Sequence, residues 1–538
     1  MIHASVEIRR YLACFDTRLL GHLYTDTLII GAGVAGLRAA LAAAQGGQVI
    51  VLVKDDLTNS STYHAQGGIA AVIRPDDNIE SHINDTLKTG CGLCCPDVVD
   101  LVVRGAPAQI EQLRQWSMPF DMENSQLAAG REGGHSHQRI VHALGDATGK
   151  AVAETLLRQV QKNKSIKIFQ KCCAIDLLTE QNCCFGVFCY SPKYGYQCIW
   201  ARRTILATGG AGQLYRETTN PAVATADGLA MAYRAGAVLS DLEFVQFHPT
   251  TLYIAGAART LITEALRGEG GFLLDRAGRR FMPDYHEMAE LAPRDIVSRA
   301  IYEQMAKTGA THVFLDVRHL GSAWLAQRFP TISSLCQSFD INVDTDLIPV
   351  RPSAHYLVGG VKTDLNGRTN IRHLYCCGEA AATGLHGSNR LASNSLLEGL
   401  VFGQICGQNT AREVADNHGE VDRRSIVYHI APSQRTSLDV PDVTNSLRAL
   451  MWRNVGIERT GERLDETVEI IDFWRRYVMD KVFDDPLGWQ CQNMLTVCRL
   501  MADSARQRKE SRGVHFRSDF PLTDDINFLH HIEIRRQT

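Results

Sequence analysis

The sequence predicts an α/β fold in which a parallel-sheet domain is interrupted by an inserted α+β domain and followed by a C-terminal helical bundle. Three observations predict it. The apolar run 27–30 (TLII), the alanine-rich stretch 37–44 and the second apolar run 48–53 (QVIVLV) give the strand, helix, strand order of a parallel sheet. From about 245 to 355 this texture gives way to polar and charged loops such as RGEGGFLLDRAGRRFMPDYHEMAELAPRD. After about residue 422 glycines thin out, and apolar positions recur at helical spacing over 443–452, 460–479 and 487–510. The expected division is therefore 1–244 and 356–421 for the interrupted domain, 245–355 for the insertion, and 422–538 for the helices.

Bulk properties narrow the function classes. The 538 residues are 45% apolar and 21% charged, enough for about three or four domains with a large core. A formal net charge of -3 lacks the basic excess of a nucleic-acid binder. The richest apolar stretch, 28–37, meets Arg38 well before it could span a bilayer. The opening segment, MIHASVEIRRYLACFDTRLLGHLY, has Glu7 and Asp16 among its basic residues and no unbroken apolar core, which argues against a targeting leader. Residues 1–24 match no motif. Sixteen scattered cysteines, several in adjacent pairs, suit reduced thiols in the cytoplasm better than disulfides. Cys91, Cys94 and Cys95 contain a C-x-x-C, but no second pair stands at zinc spacing, so no metal is expected.

Gly31-Ala32-Gly33-Val34-Ala35-Gly36 is G-x-G-x-x-G. Alone the pattern is weak. Here it follows a strand, opens a helix and precedes a second strand, so the turn can approach a pyrophosphate while the helix N-terminus faces it. This makes the first domain Rossmann-like. The second strand runs into Lys54 rather than the carboxylate that usually receives ribose hydroxyls in an NAD site, and Lys54 could pair with a phosphate or ribose oxygen instead. Two further strand ends, 204–207 before Thr208-Gly209-Gly210 and 373–377 before Gly378-Glu379, are further places for backbone to meet a ligand.

The segment Ser60-Ser61-Thr62-Tyr63-His64-Ala65-Gln66-Gly67-Gly68-Ile69-Ala70-Ala71 makes the reading specific. It resembles the flavin-contact segment of the succinate dehydrogenase and fumarate reductase flavoprotein superfamily, whose L-aspartate oxidase branch carries S-T-x-x-A-Q-G-G-I-A-A. Other segments match in order: REGGHSH at 131–137, DATG at 146–149, QFHPT at 246–250, TEALRGEG at 263–270, LAPRD at 291–295, AHY at 354–356 and HGSNRLASNSLL at 386–397. Together they resemble L-aspartate oxidases from near residue 25 to about 515.

The resemblance implies a Rossmann-like FAD-binding domain with a capping domain inserted in it. Respiratory members tether the flavin through a histidine five residues before the glutamine of A-Q-G-G. Ser61 stands there and His64 is out of register, so FAD is expected to bind noncovalently. Cofactor contacts are expected from Gly31 to Gly36, Lys54, Ser61 to Gly68, Cys173, Ala174, Asp227, Glu379, Ser395 and Leu396. Glu379 is placed to accept ribitol or ribose hydroxyls. Ser395 and Leu396 start a helix whose positive end can stabilise the reduced isoalloxazine, although Asn394 or Ser395 can equally be simple caps.

Oxidising aspartate means holding two carboxylates, accommodating an ammonium, removing a proton and presenting the Cα hydrogen as hydride. Arg390 and Arg294 offer bidentate forks, His248 and His355 further donors, and Thr263 a neutral hydroxyl. The resemblance puts these five between the flavin and inserted domains and favours Arg294 for proton handling, which needs a perturbed state or a relay. Glu132 is expected to receive the ammonium. His135, His137 and His142 crowd near it and are read as hydrogen-bonding residues. The implied reaction converts L-aspartate to iminoaspartate, with oxygen or fumarate as acceptor and the product passing to quinolinate synthase for NAD synthesis. A soluble fumarate reductase is the rival reading.

Overall fold

The structure is a computed structural model that describes residues 2–3, 8–416 and 419–536. The first unit is β1 (Gly21–Ile30), α1 (Val34–Ala43) and β2 (Val49–Leu52). β1 is longer than its apolar end because its partly exposed first half is held by parallel pairing to a later strand. Next come α2 (Pro96–Gln115), α3 (Thr148–Lys162), β3 (Ile166–Phe169), β4 (Cys173–Glu180), β5 (Cys183–Ser191), β6 (Gly195–Leu206) and α4 (Asp227–Ala235).

The chain then leaves this layer. β7 (Val245–Leu252), α5 (Glu264–Gly268), β8 (Phe272–Leu274), α6 (Arg294–Thr308), β9 (Val313–Asp316) and β10 (Ile348–Leu357) build a separate antiparallel sheet in the order β7-β10-β9-β8. It has its own apolar core around Leu266, Leu273, Phe281, Ile301 and Leu315. β11 (Leu374–Cys376) and α7 (Asn394–Ala415) return to the first layer. Among the described residues its sheet runs β3-β2-β1-β6-β5-β4, with β11 added parallel to β6. The helices α8 (Val440–Asn454), α9 (Gly461–Val478) and α10 (Pro486–Gln507) follow and pack on the same core as β4, β5 and α4.

α1 is buried over nearly its whole length between the sheet and α7. The close approach rests on Gly399, Gly403 and Gly407, one per helical turn of α7. A Cβ at these positions would lie 2.6 Å from Val34 Cγ1, 2.6 Å from Ala35 O and 2.4 Å from Ala39 O. Residues 8–20 lie against the back of the sheet, where Tyr11, Leu12 and Phe15 join the cluster of Phe188, Trp200 and Trp489. Among the described residues no helix is long and apolar enough to cross a membrane.

Candidate active site

A cleft with about 1890 Å³ of space between protein atoms, open to solvent, runs from the first sheet to the inserted domain. Gly31, at φ 110°, makes the turn out of β1, where a Cβ would sit 2.1 Å from Ala207 O. The cap of α1, Gly33, brings no side-chain bond, so the first N–H groups of that helix face the cleft, Val34 N donating to Thr62 Oγ1 at 3.0 Å. At the other end α7 starts from Ser393, in the left-handed region at φ 60° and again without a capping bond from its side chain. Two helix N-termini therefore bring partial positive charge to one cavity.

The cleft is lined by Gly31, Ala32, Gly33, Val34, Ala35, Lys54, Ser61, Thr62, His64, Ala65, Gln66, Gly67, Gly68, Cys173, Ala174, Asp227, Glu379, Ser395 and Leu396. Two of the expected cofactor residues do not line it. Gly36 packs inward, where a Cβ would meet Gly31 O at 2.0 Å. Tyr63 turns away, its hydroxyl 3.4 Å from Glu154 and its ring beneath Lys150. Lys54, expected to meet a phosphate or ribose oxygen, lines the cleft and is held there by protein acceptors. Its ammonium holds Asp227 Oδ2 and Thr225 Oγ1, both at 2.6 Å. Asp227 in turn accepts from Asn493 of α10 at 2.7 Å, and Asn493 accepts from Arg234 at 2.7 Å. The fully buried Arg234 pairs with Asp176, whose other oxygen takes the Leu12 N–H at 2.8 Å.

This cavity fits FAD. Gln66 Oε1 and Thr208 Oγ1 are buried in its walls with no protein partner. Glu379 is partly buried in the wall, and desolvation pushes its carboxyl up to about 7 although the Leu357 N–H donates to it at 3.0 Å. These groups suit a hydroxylated, phosphate-bearing ligand rather than an apolar one.

The six expected substrate residues all line the end of the cleft where the inserted sheet meets α7. His248 lies on β7 and His355 on β10. The ladder slips here, since Gln246 faces Tyr356 while Phe247 faces Ala354, which leaves His355 as the extra residue of a bulge. The two rings meet edge to face at 5.2 Å. Burial, helped by Arg294, His355 and Arg267 at His248 and by Arg390 and Arg294 at His355, holds both imidazoles well below the usual histidine range and therefore neutral. Thr219 fixes His355 through Nδ1 at 3.0 Å.

Arg294 begins α6, where a helix N-terminus disfavours a cation. Glu264 compensates, accepting from Arg294 Nε at 2.5 Å, and its other oxygen lies 3.5 Å from Arg267. Gln246 ties the two forks together: its Oε1 accepts from Arg294 at 3.2 Å and Arg390 at 3.0 Å. Arg390 stacks on Tyr356 at 4.3 Å, and burial lowers its guanidinium to about 10. Thr263 caps α5, accepting from Ala265 N. Gln246, Glu264, Arg267 and Tyr356 lie inside the matching sequence segments, but nothing in their spacing assigns them a task.

Glu132 is 3% exposed and accepts from Ser393 Oγ at 2.7 Å. Burial opposes its ionisation, but His142 at 3.9 Å, the Arg294 charge and the Ser393 hydroxyl outweigh that and hold it at about 2. It is a buried, ionised carboxylate in a pocket of cations. His135 donates from Nε2 to Ala392 O at 2.9 Å, and His137 contacts Ser81 and Ser136. Among the described residues no group of three or more His, Cys, Asp or Glu is placed to hold a metal.

Comparison with known proteins now adds to this geometry. Residues 26–396 match the FAD binding domain family, and 444–538 match the fumarate reductase flavoprotein C-terminal family. The chain of E. coli quinol fumarate reductase FrdA superimposes with a TM-score of 0.88 at 33% identity, covering 96% of this chain and 95% of that one. This protein is thus an FAD-binding flavoprotein of the succinate dehydrogenase and fumarate reductase superfamily. The L-aspartate oxidase of Streptomyces coelicolor is 40% identical over 533 residues, covering 95% of this chain and 91% of that protein. L-aspartate oxidase 1 of Ralstonia nicotianae is 42% identical over 517 residues, covering 93% and 96%. Within the superfamily, the chain belongs to the L-aspartate oxidase family.

Proposed function

We propose that this protein oxidises L-aspartate to iminoaspartate with noncovalently bound FAD. The single observation that carries the choice of substrate is Glu132, an ionised carboxylate buried among guanidinium groups. Aspartate has an ammonium that such a carboxylate attracts, and fumarate has none.

FAD, when bound, supplies the acceptor for the hydride leaving Cα. The side chains do the rest. Arg294 and Arg390 each take a substrate carboxylate and are kept at a fixed separation by Gln246. The neutral His248 and His355, with Thr263, add donors without adding positive charge that would repel the ammonium. Glu132 faces that ammonium. The proton it must lose passes through the Arg294, Glu264, Arg267 array, in which Glu264 Oε1 accepts no hydrogen bond and lies 3.5 Å from Arg267. Such a relay would let an arginine pass a proton without resting in its neutral form.

Oxygen or fumarate takes the electrons from the reduced cofactor. Fumarate fits because it shares both carboxylates with aspartate, and the likeness to fumarate reductase FrdA supports a pocket that accepts it. All sixteen cysteines are free thiols, which supports a cytoplasmic setting, where iminoaspartate passes to quinolinate synthase for NAD synthesis. Anaerobic addition of L-aspartate tests the reading: the flavin absorbance is expected to bleach with aspartate and not with succinate. Bleaching by succinate alone would overturn it. Acid denaturation of the same sample is expected to release FAD intact, because Ser61 offers no ring nitrogen for a tether.

A further inference from the structure

A second cavity, with about 920 Å³ of space and open to solvent, lies at the far end of α1 from the FAD cleft, between α1, α2, α3 and α7. Arg38 contributes to its wall. This side chain is 5% exposed, donates Nε to Gln109 Oε1 at 3.1 Å and covers one face of Trp116 at 5.3 Å. Among the described residues its two Nη groups have no hydrogen-bond partner and no carboxylate. Lys162 and Lys164 stand at the same cavity, also without a carboxylate partner among the described residues, and no Asp or Glu lines it. Three cations thus converge with no acid to balance them.

Helix ends offer one counterweight. α1, α2 and α3 finish at Ala43, Gln115 and Lys162, and each C-terminus carries about half a negative charge. Three such ends supply about 1.5 negative charges against three positive ones, so an excess remains even if every dipole points at the cavity. The remaining lining is rich in carboxamides. Gln45, Gln159 and Gln408 have no side-chain partner among the described residues, and each presents one acceptor and two donors. Trp116 adds an aromatic edge.

We propose that this cavity binds a phosphate-bearing metabolite of nucleotide size, with the phosphate on Arg38, Lys162 and Lys164 and the nucleoside part on the glutamines and Trp116. A phosphomonoester carries about 1.5 to 2 negative charges near pH 7, which matches the excess better than a single carboxylate does. The space is of the size that small-molecule sites have. The site is separate from the FAD cleft, so the ligand binds the holoenzyme without displacing FAD.

Calorimetric titration of the FAD-saturated protein with adenosine 5′-monophosphate, and separately with inorganic phosphate, tests this. One equivalent of the nucleotide is expected to bind, at least about tenfold more tightly than phosphate, with an affinity that falls as salt rises. The exposed double variant Lys162→Glu with Lys164→Glu is expected to weaken binding at least about tenfold, and Arg38→Gln to abolish it, with aspartate oxidation unchanged in both. Absence of binding by either probe at millimolar concentration would show that the cations serve only the helix ends and overturn the proposal. Binding that the lysine variant leaves intact would overturn it as well. Equal affinity for phosphate and nucleotide would overturn the nucleotide assignment.

Discussion

The two ends of the FAD cleft are built from different material. At the cofactor end the walls are mostly main chain: the turn at Gly31, the open N-terminus of α1, and strand ends at Thr208 and Gly378. At the substrate end they are charged side chains held by other side chains: Arg294 by Glu264, Arg390 by Gln246 and Tyr356, Glu132 by Ser393. The contrast is sharpest in two glutamates. Glu379, with no cation in direct contact, has its carboxyl pushed up to about 7 by burial. Glu132 is more deeply buried, at 3% exposed, yet His142, Arg294 and Ser393 hold it at about 2. Burial alone does not set protonation; what stands within a few ångströms does.

Substitutions can break this contrast. The largest effect is expected at the forks. Arg390→Leu strands a substrate carboxylate and removes one of the two forks on Gln246, and Arg294→Leu also leaves buried Glu264 with Arg267 alone at 3.5 Å, where breaking a buried pair costs about 3 to 5 kcal/mol. Steady-state kinetics should show kcat/KM for aspartate lowered on the order of a thousandfold in either variant, with FAD content unchanged because the main-chain end is untouched. Near-normal turnover in either would remove the forks from the mechanism.

A smaller and more selective effect is expected for Glu132→Gln. Aspartate kcat/KM should fall on the order of a hundredfold, about 2.7 kcal/mol, while fumarate reduction by the chemically reduced enzyme is largely kept. Equal loss of both activities would make Glu132 a structural residue.

The smallest effect sharpens the comparison at Glu379. Its folded carboxyl holds a proton up to about 7, against about 4.5 when unfolded. The stability it contributes is therefore fully present below 4.5 and lost as pH rises through 7. Melting of the apoprotein should show Glu379→Gln more stable than the parent at pH 8, by a few degrees, and equal to it at pH 4.5. FAD affinity should drop about tenfold in the same variant, since a carboxylate accepts hydroxyls better than an amide. Glu132 has the opposite sign: its contribution is present above 4.5 and lost as pH falls toward 2. A parallel pH response of the two variants would contradict the contrast.

How much of this was legible in the sequence follows the same division. Contacts made by consecutive residues, from Gly31 to Ala35 and from Gln66 to Gly68, form local motifs, and the three helices after residue 440 show their periodicity directly. The membership in the L-aspartate oxidase family was also readable, because many ordered segments carry it. Pairings between side chains far apart were not. Lys54 finds Asp227 at a separation of 173 residues, Gln246 bridges Arg294 and Arg390, and Asp176 holds Arg234. No spacing rule points to such partners, and Lys54 was read toward a phosphate or ribose oxygen for that reason. Residues 8–20 matched no motif because they serve apolar packing, with Tyr11, Leu12 and Phe15 covering a sheet face, and residues 1 and 4–7 lie outside the described residues. One signal was available and unread: the glycines 399, 403 and 407 at one-turn intervals, which mark where α7 lies on α1.

The chain of contacts from Lys54 through Asp227, Asn493, Arg234 and Asp176 to Leu12 has a consequence for the order of assembly. The glycine turn leaves the ribosome early, yet β11, α7 and Asn493 come hundreds of residues later. At about 5 to 20 residues per second, tens of seconds of synthesis separate the two halves of the cofactor wall. A nascent chain therefore carries a recognisable fingerprint without a closed cradle, and flavin loading becomes a late event that waits for the C-terminal helices to dock.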